Sequence, residues 1–222
     1  MSQAPVDPAA AIASGQFTKV PVLHGITHDE ARLHVWGMEM GLYGGKPLPD
    51  SAYAEQVRAM FPSDAAAILA RYPRKAYGSA SEALATVWTD ALWARPALDS
   101  SRALAKHVPT YAYEFAETGG PWFRQTPTTS YPMGAFHTAE LPYLFAMGHF
   151  EDLPAGQQPL ADTLIGYWTR FAHTGDPNGG GAPKWQPCSA GRQTVQSLTA
   201  TQTGPVDFAQ DHRYPFWTSL NG

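Results

Sequence analysis

The order of strand-like and helix-like segments constrains the fold of this chain more than any other feature. Residues 19–23 form a short, mostly apolar run that is typical of a buried strand, and residues 109–115 alternate aromatic with smaller or polar residues, as strands do. The segments between these two runs carry the spacing and capping residues of helices. Strand, helices and strand in this order predict an α/β fold, with a mostly parallel sheet flanked by helices.

Predicted helices are marked by apolar residues at helical spacing, by serine or acidic residues in the first turn, and by glycine or proline at the end. The clearest example is the segment in which Leu160, Leu164 and Tyr167 share one face and Gly175 follows the last turn. The pattern predicts helices over residues 29–40, 51–60, 63–71, 79–93, 98–107 and 159–173. The second, third and fourth of these open with Ser51, Ser63 and Ser79, each of which can cap the first turn.

Composition and charge exclude several classes of partner. With 44% hydrophobic residues, the chain has the composition of a globular protein. Its formal net charge is -4 and its densest basic group is Arg71, Arg74 and Lys75, so we do not expect it to bind nucleic acid. No window approaches about 18 uninterrupted apolar residues, so we expect no membrane span and no membrane partner.

The N-terminus and the cysteine content bear on processing. Residues 1–7 lack the basic segment and the apolar run of a signal peptide, so the chain is expected to be soluble. Its compartment is left open, because a targeting signal can also lie upstream. The single cysteine, Cys188, excludes an intrachain disulfide and any zinc site built from several cysteines.

Glu30 and His137 are the candidate catalytic residues. Acyl transfer by a serine needs a histidine that accepts the serine proton and a carboxylate that orients the histidine. In α/β-hydrolases the chain order is nucleophile, acid, histidine, and Glu30 follows a predicted strand while His137 lies later, in a predicted loop. On these residues alone two other readings stay open: Glu30 as a first-turn helix acid, and His137 as a loop histidine bonded to backbone.

Three motifs place these residues in a wider pattern. Residues 15–30 contain a Val-Pro strand and a Gly-x-x-x-Asp-Glu turn, residues 134–145 read Gly-Ala-x-His-x-x-Glu-Leu-x-Tyr-x-Phe, and residues 167–178 read Tyr-Trp-x-x-Phe-Ala-x-x-Gly-Asp-Pro-Asn. A weaker match is Thr89-Asp90 with Pro96. Together they resemble the type-B carboxylesterase family of α/β-hydrolases over most of the chain.

The resemblance implies a serine-esterase mechanism on small-molecule carboxylic esters. It makes Glu30 the acid of the catalytic triad and His137 its histidine, acting as general base and then as general acid through an acyl-enzyme intermediate. It implies no metal and no organic cofactor. Independently of the resemblance, the tandem of predicted helices over residues 51–93 suggests an outer layer that covers the site. Ala31 departs from the family, which usually has glycine after the glutamate.

The nucleophile of the family is missing from these residues. No Gly-x-Ser-x-Gly elbow occurs, nor does the Gly-rich loop that supplies the oxyanion hole. Residues 188–191 end like an elbow, but Pro187 replaces the first glycine and the segment follows the histidine. We therefore expect residues 1–222 to be the C-terminal part of one carboxylesterase domain, an incomplete α/β-hydrolase fold that needs a missing N-terminal half or a complementary chain.

Alternative functions stay open from the sequence. One is a non-catalytic esterase-like binding or adhesion protein, and another is a lone hydrolase that uses Ser130, Ser189 or Cys188 as nucleophile. A metal site is a further reading, because imidazole and carboxylate groups suit zinc; its candidate ligands match no short zinc motif. These candidate ligands are His24, His28, Asp29 and His34.

Overall fold

A computed structural model describes residues 7–189 and 194–220. The segment 1–6, which bears on the signal-peptide prediction, and Ala190 and Gly191 of the elbow-like segment lie outside the described residues. The α-helices are α1 (Pro8–Ser14), α2 (Ala31–Leu42), α3 (Asp50–Met60), α4 (Ala65–Arg71), α5 (Ala80–Thr89), α6 (Arg95–Leu104), α7 (Leu141–Leu144), α8 (Gln158–Thr174), α9 (Phe208–Asp211) and α10 (Tyr214–Ser219). The strands are β1 (Val22–Thr27), β2 (Thr110–Phe115), β3 (Val195–Leu198) and β4 (Gly204–Val206).

The strands form one mixed sheet in the order β1, β2, β3, β4. β1 pairs in parallel with β2, and β2 pairs in parallel with β3, whereas β4 is antiparallel to β3. Helices lie between the parallel strands in sequence, as parallel pairing requires. The predicted fold class, a mostly parallel sheet flanked by helices as in part of an α/β-hydrolase, is confirmed.

The first strand begins and ends later than its sequence predicted. Pro21 has no N–H to donate, and the ladder opens with the Val22 N–H donating to Pro109 O at 2.9 Å. The strand then continues through His24 and Gly25, beyond the predicted run of residues 19–23. Gly25 fits there because it lies opposite Tyr113, where an added Cβ would overlap the tyrosine ring and carbonyl oxygen.

Two predicted helices are continuous in the structure. α5 runs into a π-helical turn at Asp90–Ala94 and then into α6, so the predicted break between residues 93 and 98 is wrong. Pro96 explains the wide turn, because it has no N–H to donate to the preceding turn. The Ser79 cap is confirmed, since its side chain accepts from the Glu82 N–H at 3.1 Å.

The other predicted helix starts shift by one or two residues. α3 begins at Asp50 and α4 at Ala65, so Ser51 and Ser63 do not cap them. Asp29 and Glu30 precede α2 instead of forming its first turn. None of the described helices is long and apolar enough to cross a membrane.

Helices α2 to α5 pack around a shared apolar cluster that includes the fully buried Val35, Val57, Ile68 and Leu84. The His137 side chain is 45% exposed within the described residues, and the cover of the site by the helices of residues 51–93 stays a prediction. A second cluster joins α8 to the sheet through residues such as Leu164 and Tyr167. The carboxyl end of β1, which Glu30 closely follows, thus lies near a solvent-accessible surface.

Candidate active site

Glu30 lies in the tight turn between β1 and α2. Its Oε1 accepts the Thr27 N–H at 2.8 Å, and the residue is only 5% exposed. The next residue, Ala31, is fully buried and donates its N–H to Thr89 Oγ1 at 3.0 Å. Alanine therefore fits where the family usually has glycine. The Glu30 carboxylate is held through Oε1, and its second oxygen, Oε2, is available to another partner.

That second oxygen meets His137. His137 Nδ1 lies 2.6 Å from Glu30 Oε2, and a carboxylate can only accept, so Nδ1 carries the proton in this pair. The tautomer leaves Nε2 as the basic nitrogen of a half-exposed imidazole. The structure thus brings together the two residues that the sequence selected.

The loop that carries His137 is held to the β1 turn by Asp29. The Asp29 N–H donates to Ala135 O at 2.9 Å, and the Ala135 N–H donates back to Asp29 Oδ2 at 3.0 Å. Arg32 adds a 3.0 Å ion pair to Asp29 and a 2.7 Å hydrogen bond to Pro132 O. These contacts set the distance between Glu30 and His137.

Two residues of the loop have positive φ angles on either side of His137. Gly134 has φ 55°, and an added Cβ there would overlap the Asp29 carboxylate. Thr138 has φ 76°, which is costly for a β-branched residue. Backbone strain of this kind is found where the surrounding structure fixes a particular side-chain position, here that of His137.

The electrostatics of the pair favour a protonated imidazole. The hydrogen bond to Glu30 raises the pKa of His137 above its usual value, against the opposing effect of partial burial. A histidine with a carboxylate on Nδ1 and an accessible Nε2 can take a proton from a hydroxyl and later return it.

Two other side chains near the pair, those of His34 and Glu140, were not assigned a catalytic role from the sequence. The ring centre of His34 lies 5.3 Å from that of His137, and its Nδ1 lies 3.3 Å from Glu30 O. The sequence did hold a signal for this proximity: His34 lies four residues after Glu30, about one helical turn, so the two residues share a face of the predicted helix. Burial raises the pKa of the Glu140 carboxyl, whose Oε2 has no hydrogen-bond partner in the part of the chain that the structure describes.

Alternative nucleophiles have structural contacts of their own. Ser130 Oγ donates to Glu39, at 2.8 Å from its Oε2. Cys188 is buried and its Sγ lies 3.3 Å from Thr194 O, and burial raises the pKa of the thiol, which disfavours the reactive thiolate. Ser189 is exposed, and residues 190–193, which follow it in sequence, lie outside the described part of the chain.

The four candidate metal ligands near β1 do not come together. His24 Nδ1 lies 3.2 Å from Ser101 Oγ, and His34 lies beside His137. Only His28 and Asp29 are paired, with Nδ1 and Oδ1 at 3.3 Å. The group as read from the sequence is therefore not a metal site.

The chain matches the carboxylesterase family model over residues 3–217. It is 28% identical to human cocaine esterase over 58% of this chain and 22% of that protein, and 34% identical to mouse bile salt-activated lipase over 52% and 20%. It is 27% identical to para-nitrobenzyl esterase of Bacillus subtilis over 78% of this chain and 33% of that protein.

The chain belongs to the carboxylesterase family. The predicted resemblance is thereby confirmed, and ester hydrolysis is the activity that membership supports at the level of the family. The matched stretch covers well under two thirds of each of these relatives. The activity of a whole carboxylesterase is therefore a matter for proposal, as are the roles of Glu30 and His137.

Proposed function

We propose that this chain supplies the acid and the histidine of a serine carboxylesterase, with Glu30 orienting His137. The 2.6 Å contact between Glu30 Oε2 and His137 Nδ1 carries the proposal. The contact leaves Nε2 as the proton acceptor on an imidazole that is 45% exposed, as a general base must be. The proposed substrates are small-molecule carboxylic esters.

In this mechanism His137 moves a proton twice. Its Nε2 takes the proton of the attacking serine, and the imidazolium then gives that proton to the leaving alcohol. Glu30 stabilises the imidazolium without taking the proton. In the second half of the reaction a water gives a proton to His137 Nε2 and attacks the acyl-enzyme; the bond from the acyl group to serine breaks, His137 returns the proton to the serine oxygen, and the acid is released.

The serine and the oxyanion donors are proposed to come from another segment. The 222 residues contain no Gly-x-Ser-x-Gly elbow, and an acyl-enzyme cannot form without a nucleophile. We assign the chain to the C-terminal part of a carboxylesterase domain, completed by an N-terminal part or a complementary chain.

The first test is hydrolysis of a p-nitrophenyl ester by the purified chain and by its His137→Ala variant. We expect both to stay near the background rate, because the nucleophile is missing. Turnover by the isolated chain that disappears with His137→Ala would contradict this part of the proposal and place a nucleophile within these residues.

The second test supplies the missing part. A chimera joins this chain to the region of the B. subtilis para-nitrobenzyl esterase that precedes the matched stretch. We expect turnover that falls at least about 10³-fold with His137→Ala and stays unchanged with His173→Ala, which alters an exposed histidine of α8. Equal loss or equal retention in both variants would contradict the role of His137. A folded chimera that binds the ester without turnover would support the recognition role instead.

A further inference from the structure

A second cluster of titratable side chains lies near the carboxyl end of β1 and takes no part in the proposed mechanism. His28 lies in the turn after β1, Glu114 in β2, and His212 directly after α9. One possible ligand atom from each lies within 4.8 Å of the other two. Glu114 and His212 are buried, and the His28 side chain is 44% exposed.

Each histidine of this cluster has a carboxylate on a ring nitrogen. His212 Nδ1 lies 2.7 Å from Asp90 Oδ1, and His28 Nδ1 lies 3.3 Å from Asp29 Oδ1. Histidines that bind metals are typically oriented in this way, with the second nitrogen bonded to a carboxylate while the first faces the ion. The carboxylates thus select the tautomers that metal binding needs.

Asp90 is itself held in place. Its Oδ2 accepts from the Tyr72 hydroxyl at 2.8 Å and from Arg213 Nη1 at 3.1 Å. With these contacts Asp90 is a rigid support for His212, fixed by residues of two other segments.

The two buried carboxylates of the cluster already have two cationic partners, one of which a metal ion could replace. Asp90 and Glu114 are both 2% exposed, and Arg213 compensates one of the two carboxylates. His212 Nε2 lies 2.6 Å from Glu114 Oε1, so a shared proton now supplies the second positive charge. A metal ion bound there would replace that proton.

A cavity of about 220 Å³ adjoins the cluster and is lined by His28, Asp90, His212 and Arg213, among others. It gives an entry path and room for a water ligand. Around zinc the ligand atoms lie roughly 3.3 Å from one another. Glu114 and His212, whose ligand atoms are now 2.6 Å apart, must therefore separate slightly, and the exposed His28 side chain must rotate toward the ion.

We propose that His28, Glu114 and His212 bind a divalent transition metal ion, with a water from the cavity as the fourth ligand. Two imidazoles and one carboxylate are a donor set that suits zinc. The ion would tie the turn after β1 and the segment after α9 to β2. This role departs from the expectation, based on the family resemblance, that the chain needs no metal.

The test is zinc binding to the chelator-treated full chain, measured by isothermal titration calorimetry beside thermal unfolding. We expect one zinc ion per chain and a higher unfolding midpoint with zinc present. His28→Ala should weaken zinc affinity at least tenfold and remove the thermal shift, because it deletes a ligand. His173→Ala, an exposed histidine outside the cluster, should change neither.

A second variant, Glu114→Gln, removes a buried ligand while keeping its shape. It should also lose zinc affinity, and circular dichroism shows whether it folds; His28→Ala decides the matter if it does not, because His28 is half-exposed. Absence of zinc binding, or binding that survives His28→Ala, would overturn the site and leave a proton-bridged cluster. No ester enters these measurements, so their outcome is independent of the esterase proposal.

Discussion

At the scale of single residues, Glu30 acts on His137 through one short hydrogen bond. A carboxylate at Nδ1 stabilises the imidazolium relative to the neutral ring, so it raises the pKa of His137. The neutral ring is the general base, and we expect the esterase rate of a completed enzyme to rise with pH through that raised pKa.

The effect of Glu30 can be measured on this chain without any catalysis. We predict that Glu30→Gln lowers the pKa of His137 toward the ordinary histidine value, because a neutral amide does not stabilise the imidazolium. NMR titration of the His137 ring protons measures the change. Glu140→Gln is the matched control and should shift the pKa less, since Glu140 acts on His137 only through space. Equal shifts in the two variants would contradict the assigned pairing.

The sequence could predict Glu30 and His137 because each lies in a local motif. It could not predict the partners of His28, because Glu114 and His212 lie far from it in sequence and only the parallel pairing of β1 with β2 and the packing of α9 bring them close. Burial of Glu114 and His212 is likewise a property of the folded chain. A site can therefore be predicted from local sequence patterns only when each of its residues lies in a recognisable motif.

At the scale of secondary-structure elements, the close approach of β1 and β2 depends on a glycine. We predict that Gly25→Ala destabilises the fold by about 1–3 kcal/mol, because a Cβ there would overlap Tyr113. Urea unfolding measures the effect. Gly37→Ala in α2 is the control: an added Cβ meets nothing within 4 Å there, and alanine should stabilise the helix by about 1 kcal/mol. Destabilisation of similar size in both variants would show that the strand contact is not the cause.

A buried carboxylate in α2 ties several elements together. Glu39 is fully buried and accepts from the Leu48 N–H, from Ser81 of α5 and from Ser130. We predict that Glu39→Ala costs at least about 2 kcal/mol of unfolding free energy, because these donors lose their acceptor.

The matched control for this change is Glu55→Ala on the exposed face of α3, which should stay within about 0.5 kcal/mol of wild type. Both variants are compared by urea unfolding. Equal stability of Glu39→Ala and wild type would mean that water satisfies these donors as well as Glu39 does.

The helices show what local pattern can and cannot predict. Ser79 was predicted as a cap from its position before a helical run, and it forms that cap. The continuity of α5 and α6 was not predictable, because Pro96 is normally a reason to end a helix. The π turn at Asp90–Ala94 accommodates it, and packing against the core stabilises that turn.

At the scale of the whole molecule, the described residues leave one edge of the sheet unpaired and several apolar side chains exposed. Within residues 7–189 and 194–220, the outer edge of β1 pairs with no strand. Large apolar side chains are exposed as well: Leu42 at 74%, Phe145 at 59% and Val20 at 52%. Open strand edges and exposed apolar side chains promote association with other chains.

We therefore predict that the isolated chain self-associates. Analytical ultracentrifugation over a range of concentrations should show species larger than the 24.1 kDa monomer. Joining the chain to the upstream region of the B. subtilis esterase should give a monodisperse protein, because an added parallel strand would cover β1. An isolated chain that stays monomeric at high concentration would contradict the prediction and mean that these residues form a complete folding unit with a tolerated open edge.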